Sequence, residues 1–203
     1  MMLVEEAPTP VAALPITALR SHLRMASGFD LASDPAEDAA LAGFLRAAIA
    51  TVEARTGKVL LRRMFRLRLE EWRDRLGQPL PLAPVTEIAG ISIEDRSGTA
   101  VAVPVSDWRL VADDHRPMVL PGATLLPLIP KGGAAIVRFK PGFADTWDRV
   151  PPDLAQAVLM MAAQFYEDRG GAGATRAGLP FGVSALLERW RAVRTLAGRG
   201  ARP

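Results

Sequence analysis

The sequence predicts an α+β protein: helices from both chain ends form a small antiparallel bundle, and a β-rich, sandwich- or barrel-like insertion lies between them. Three observations carry that prediction. Apolar residues recur at helical spacing near both ends, the spacing changes to alternation after Lys58, and Pro, Gly and Asp cut the middle into short runs. The implied division is residues 1–57 for an N-terminal arm and bundle helices, 58–148 for the β insertion, and 149–203 for C-terminal helices with a basic tail.

The first dozen residues, with Pro8 and Pro10, read as an extended arm that packs against nothing, and Pro15 closes it. Thr17 is placed to cap a short helix reaching about Met25, with Leu19 and Leu23 on one face and Arg20 and Arg24 on another. Asp34-Pro35 starts the next helix, because an aspartate accepts from orphan amides and proline fits where no donor is needed. Leu41, Phe44, Leu45, Ala48, Ile49 and Val52 then form a stripe of helical period, and Gly57 supplies the stop.

Beyond it, Phe65, Leu67 and Leu69 alternate with Arg66, Arg68 and Glu70, the pattern of a half-buried strand. Val85–Ile88, Ile91–Glu94, Val101–Val105, Trp108–Val111, Met118–Leu120 and Ala135–Phe139 read as further short strands. Pro151-Pro152-Asp153 restarts helix, and the residues that follow are apolar on two sides, as in a helix buried on two sides. Gly170–Gly178 reads as a linker. A last helix follows Leu179-Pro180-Phe181-Gly182, bearing Val183, Leu186, Leu187, Trp190 and Val193.

With 203 residues, 49% of them hydrophobic, the chain is long enough to bury a core unaided by disulfides or metal. Cysteine is absent, which removes thiolate nucleophiles and the usual structural zinc sites. Acids at Glu5 and Glu6 argue against a secretory signal, and no apolar run reaches the ~18 residues that span a bilayer, so no membrane partner is expected. The net charge of +3 is unevenly spread, with residues 1–56 at −3, 57–76 at +4 and 151–203 at +3. Such polarity suits subunits of one kind meeting head to side, and it also suits nucleic acid. Only Lys58, Lys131 and Lys140 among the 25 basic residues are lysine, a bias of GC-rich coding that weakens arginine as evidence for phosphate binding.

Reactive constellations are scarce. His22 falls in a short amphipathic helix and reads as a surface or capping residue, while Asp113-Asp114-His115 reads as a turn, since adjacent side chains rarely converge on one ion. The glycine-rich stretch at 170–178 follows a helix and lacks the Lys-Ser/Thr pair of a phosphate loop. No catalytic residue, metal ligand or cofactor site is therefore assigned. Two basic features remain: Arg62, Arg63, Arg66 and Arg68, a strip that faces a channel or a partner, and Arg189, Arg191, Arg194, Arg199 and Arg202 near the C-terminus. The second supports an alternative reading, a nucleic-acid-binding regulator that uses a basic C-terminal helix.

Several phrases, read in order, resemble the head-tail connector (adaptor) family of long-tailed phages and gene transfer agents. They include Leu19-Arg20-Ser21-His22-Leu23-Arg24, Val52-Glu53-Ala54-Arg55-Thr56-Gly57, Val137-Arg138-Phe139-Lys140-Pro141-Gly142-Phe143 and Val150-Pro151-Pro152-Asp153-Leu154-Ala155-Gln156-Ala157-Val158. Tyr166-Glu167-Asp168-Arg169 and Leu179-Pro180-Phe181-Gly182-Val183-Ser184 extend the resemblance over nearly the whole chain. It implies a helical bundle with a β insertion and a structural, noncatalytic role. It also implies a dodecameric ring at the head-tail junction, assembled from cytoplasmic subunits. That ring would sit beneath the portal protein of a filled capsid, extend the channel through which DNA passes, and present a platform to a tail-side stopper or terminator. By position in the chain, the portal-docking candidates are Trp190, Arg191, Arg194, Arg199 and Arg202.

Overall fold

Local signals set the two ends of the longest helix. In the computed structural model, which describes residues 1–25, 34–168 and 179–191, α1 spans Ile16–His22 and α2 spans Pro35–Thr56. The Asp34 side chain accepts from the Ala36 amide at 2.9 Å, and Gly57 closes the helix in the left-handed region at φ 68°, donating to Glu53 O. Arg20 of α1 grips the first turn of α2, reaching Glu37 and Asp38 at 2.8 Å each. Thr17 does not cap α1, whose N-cap is Pro15 with no side-chain hydrogen bond.

The bundle is completed by α3 (Pro152–Asp168) and α4 (Phe181–Leu187). Its core joins Leu41, Leu45, Ile49 and Val52 of α2 to Leu154, Val158 and Met161 of α3 and Val183 and Leu187 of α4. Burying a leucine of this kind fully contributes roughly 1.5–3 kcal/mol relative to leaving it in water. As its two apolar stripes predict, α3 is covered on more than one side, with both Val158 and Ala162 fully buried. The last helix is shorter than its apolar spacing predicts: a single 3-10 turn, Glu188–Trp190, follows α4, and Val193 lies outside the described residues, as does the stretch 170–178.

The middle of the chain forms two antiparallel sheets that do not close into a barrel. Strands are β1 (Met2–Glu5), β2 (Phe65–Leu69), β3 (Gln78–Pro79), β4 (Val85–Glu94), β5 (Ala100–Ala102), β6 (Trp108–Val111), β7 (Met118–Pro121) and β8 (Ala134–Pro141). One sheet runs β1-β2-β8-β4-β5 and the other β3-β7-β6. Phe65, Leu67 and Leu69 stand opposite Phe139, Val137 and Ala135, and this face joins Ile88, Ile91, Val119 and Leu126 in a second core. The two runs predicted within 85–94 are one strand, its register shifting between Val85 and Glu87 and again between Ile88 and Gly90.

The N-terminal arm is the main correction. Residues predicted to pack against nothing instead form an edge strand, with Met2, Leu3, Val4 and Glu5 opposite Arg68, Leu67, Arg66 and Phe65. Leu3 packs on the β core, and two ion pairs fix the strand's end, Glu5 with Arg63 at 2.8 Å and Glu6 with Arg138 at 2.7 Å.

Candidate functional site

Trp190 and Arg189 are held against the start of α3. Trp190 is 9% exposed, its indole donates to Asp153 Oδ2 at 2.7 Å, and Phe143 meets its ring edge-on at 5.1 Å between centroids. Arg189 reaches the same carboxylate oxygen at 2.9 Å and lies over the indole at 4.5 Å, a cation–π contact. Asp153 thus serves twice, since its position in the first turn of α3 also complements the positive end of that helix.

The docking candidates differ in their surroundings. Within the subunit Trp190 is buried, held by Asp153 and Phe143. Arg191 is exposed and makes a 3.3 Å pair with Glu188. Arg194, Arg199 and Arg202 lie outside the described residues.

The four arginines at 62–68 divide between two places. Arg62 and Arg63 precede β2 at the junction of the cores, where Arg62 pairs with Asp145 at 2.8 Å and donates to the carbonyls of Gly142 and Phe143. Arg63 is held by Glu53 and Glu5. Burial works against its charge, but hydrogen bonds and attraction from Glu53, joined by Glu5, outweigh that and raise its pKa. Arg66 and Arg68 lie on the face of the large sheet turned away from the β core. Arg68 crosses β8 to meet Glu94 at 2.6 Å. Among the described residues, Arg66 alone of the four makes no ion pair, though its charge helps hold the Glu6 carboxyl below its usual range, after the hydrogen bond from Arg138. Within the subunit, Arg62, Arg63 and Arg68 are thus ion-paired while Arg66 is exposed.

Asp113 and Lys58 make local contacts within the β region. Asp113 accepts from the amides of His115 and Arg116 at 2.6 Å, forming the predicted turn. Lys58, unnoticed as a candidate, is 1% exposed and reaches the Asp114 carbonyl and His115 Nδ1; burial lowers its pKa, opposed by Asp114 and Asp113. No group of three or more metal-ligating side chains occurs among the described residues. An open groove of about 680 Å³ is lined by Leu69, Glu70, Glu71, Arg73, Gln78 and Leu80, among others, with no histidine or hydroxyl side chain in its lining among the described residues. Sequence reasoning missed Glu53 and Asp153 as organising residues. The only signals were an acid one turn before a helix stop and an acid after two prolines.

No protein-family model matches the chain, and no curated protein matches it. Solved structures do. The chain is 47% identical to a component of the neck of an empty gene transfer agent particle, computed with C6 symmetry, covering 98% of this chain and 100% of that one at a TM-score of 0.88. It is 47% identical, with the same coverage and a TM-score of 0.85, to a chain in the virion of a native gene transfer agent particle. A third match, in the neck of a native particle computed with C12 symmetry, is 44% identical, again with 98% and 100% coverage, at a TM-score of 0.83. A helical bundle bearing two sheets, alike over its full length to these chains, defines a structural particle component. The chain belongs to the head-tail connector (adaptor) family of gene transfer agents.

Proposed function

We propose that this chain is a noncatalytic adaptor that forms a ring, twelve-membered in the assembled particle, between the portal of a DNA-filled capsid and the tail-side stopper or terminator. The ring extends the channel for DNA at the head-tail junction, and its subunits are made in the cytoplasm. The observation that carries this reading is full-length similarity at 44–47% identity to components of neck assemblies with C6 and C12 symmetry. The physical features agree with it. Cyclic assembly needs rigid subunits, and here two cores are tied together at Glu53, Arg63 and Gly142.

Docking on the portal is assigned to the basic segment that starts at Arg191 and includes Arg194, Arg199 and Arg202, with Trp190 fixing where it begins. Passing DNA is met without sequence preference, with Arg66 the channel-facing or partner-facing candidate. The test is a truncation after Arg191, which keeps the Trp190 anchor. The truncated protein is expected to match the full chain in thermal unfolding while failing to join portal-bearing heads. Normal attachment by the truncated protein removes the docking role, and particles that complete their necks without this chain remove the adaptor reading itself.

A further inference from the structure

The two open edges of the large sheet form a matched pair. With five strands, each antiparallel to the next, the edge strands β1 and β5 run in the same direction. Both edges have unspent backbone groups. The Glu6 amide donates to Met64 O, so alternation turns the peptide groups of Met2 and Val4 inward to β2 and those of Leu3 and Glu5 outward. At the far side, Asp95 donates to Thr99 O and Val103 donates to Ile91 O, so Ala100 and Ala102 are the residues that point outward.

Exposed apolar side chains gather at the same two edges. Met1 and Met2 are 80% and 51% exposed beside β1, and Val101 and Val105 are 66% and 74% exposed on and just after β5. These four are among the nine large hydrophobic side chains exposed among the described residues.

We propose that in the ring, β1 of each copy pairs in parallel with β5 of the next, so that the sheet runs on from subunit to subunit. The inference rests on the ring reading above. A cyclic ring of more than two copies needs two different, complementary surfaces on every subunit, which a pair of unlike edges provides. A rotation that carries one copy to the next keeps strand direction, so edges that point the same way meet in parallel. In a parallel ladder, opposite residues share a face, and the outward groups of one strand meet those of the residues flanking its opposite. Leu3 therefore stands opposite Val101, both on the core side, and Met2 and Val4 stand opposite Ala100 and Ala102 on the other face. The strand addition hides apolar edges that would otherwise invite indiscriminate pairing.

Cross-linking tests this directly, because the natural chain has no cysteine. Met2→Cys or Val4→Cys is combined with Ala100→Cys or Ala102→Cys, and particles are purified under oxidising conditions. Within one chain the two edges are four strand spacings apart, roughly 19 Å, too far for a disulfide. Every bond formed therefore joins different copies, and a ladder of multimers on a denaturing gel is expected from the double variants and not from the single ones. A companion variant, Ala102→Pro, removes only an outward amide. It is expected to keep the circular dichroism and unfolding midpoint of the parent while losing ring assembly. Particles with a complete neck ring by electron microscopy but no ladder from any of the four pairs overturn the edge pairing and leave the adaptor reading standing. Necks that lack this chain altogether overturn both.

Discussion

Arg63 and Glu53 meet in a two-point ion pair, Nη2 to Oε2 at 2.7 Å and Nη1 to Oε1 at 3.0 Å, with each side chain only 12% exposed. Glu53 belongs to the last turns of α2 and Arg63 to the approach to β2, so the pair rivets the bundle to the large sheet. It is satisfied beyond its own two bonds: Glu53 Oε1 also accepts from the Leu60 amide at 2.9 Å, and Arg63 donates to Leu61 O. Removing Glu53 leaves the largely buried Arg63 with Glu5 alone to oppose its charge, and removing Arg63 leaves the Glu53 carboxylate without its cation. Glu53→Ala is expected to cost about 3 kcal/mol in urea unfolding. Arg63→Met/Glu53→Met is expected to cost clearly less than its two single replacements combined, by at least ~1 kcal/mol in a double-mutant cycle. Additive losses would show that the pair carries no coupling.

Trp190 makes a separable prediction, because packing and hydrogen bonding act on different atoms. Trp190→Ala removes the contact with Phe143 and the bond to Asp153 together, and about 3–5 kcal/mol of stability is expected to go with them. Trp190→Phe keeps an aromatic ring in the bundle and loses the indole donor, for an expected cost nearer 1 kcal/mol. Asp153 then retains Arg189, which limits the loss. Thermal unfolding followed by far-UV circular dichroism separates the two, and equal costs would place the whole contribution in the hydrogen bond.

Much of this architecture was legible in the sequence where the signal is local. Asp34-Pro35 and Gly57 mark both ends of α2 because caps act within a turn of the residue that makes them. Phe65, Leu67 and Leu69 show their buried face by alternation alone. β1 was not legible. Its four residues pair with a strand some sixty positions away, and Pro8 and Pro10 just beyond it punctuate the chain as they would an unpacked arm. The same limit applies to Arg62, Arg63 and Arg68. Sequence shows four nearby positive charges, but the carboxylates that engage three of them come from positions 5, 53, 94 and 145 and converge only in the fold. Trp190 falls among the apolar residues of the last helix, but the acid and the ring that hold it lie 37 and 47 positions earlier and meet it only in the fold.

Gly142 is the backbone counterpart of the Arg63 rivet. It sits at φ 138° as the chain leaves β8 for the bundle, and its amide donates to Pro84 O at 2.9 Å. A methyl group there would lie 2.6 Å from the backbone of Arg62, which has no flexible end to move aside. Backbone strain and collision act together at Gly142→Ala, and a loss of roughly 3 kcal/mol or more is expected in chemical denaturation. Gly43→Ala is the control, since a methyl at that helical position meets nothing within 4 Å and is expected to be neutral or stabilising.

Asp95 gives the prediction for pH. It closes the turn between β4 and β5, accepting from the Ser97 hydroxyl at 2.6 Å, the Thr99 amide at 3.0 Å and the Ser97 amide at 2.8 Å. The Ser97 hydroxyl bond first, and the Thr99 amide after it, hold its pKa below the ordinary 3.8. The unfolded state therefore takes up the proton first as pH falls. The contribution of Asp95 is complete above the ordinary carboxylate range and is lost as pH drops through the depressed folded value, so stability falls toward acid. The group is fully exposed, so the effect should stay local to the hairpin. Amide exchange at Ser97 and Thr99 is expected to quicken below about pH 4, relative to the intrinsic rate. In Asp95→Asn the acid-dependent part should vanish while the turn persists. The same acceleration in the variant would assign the loosening to another group.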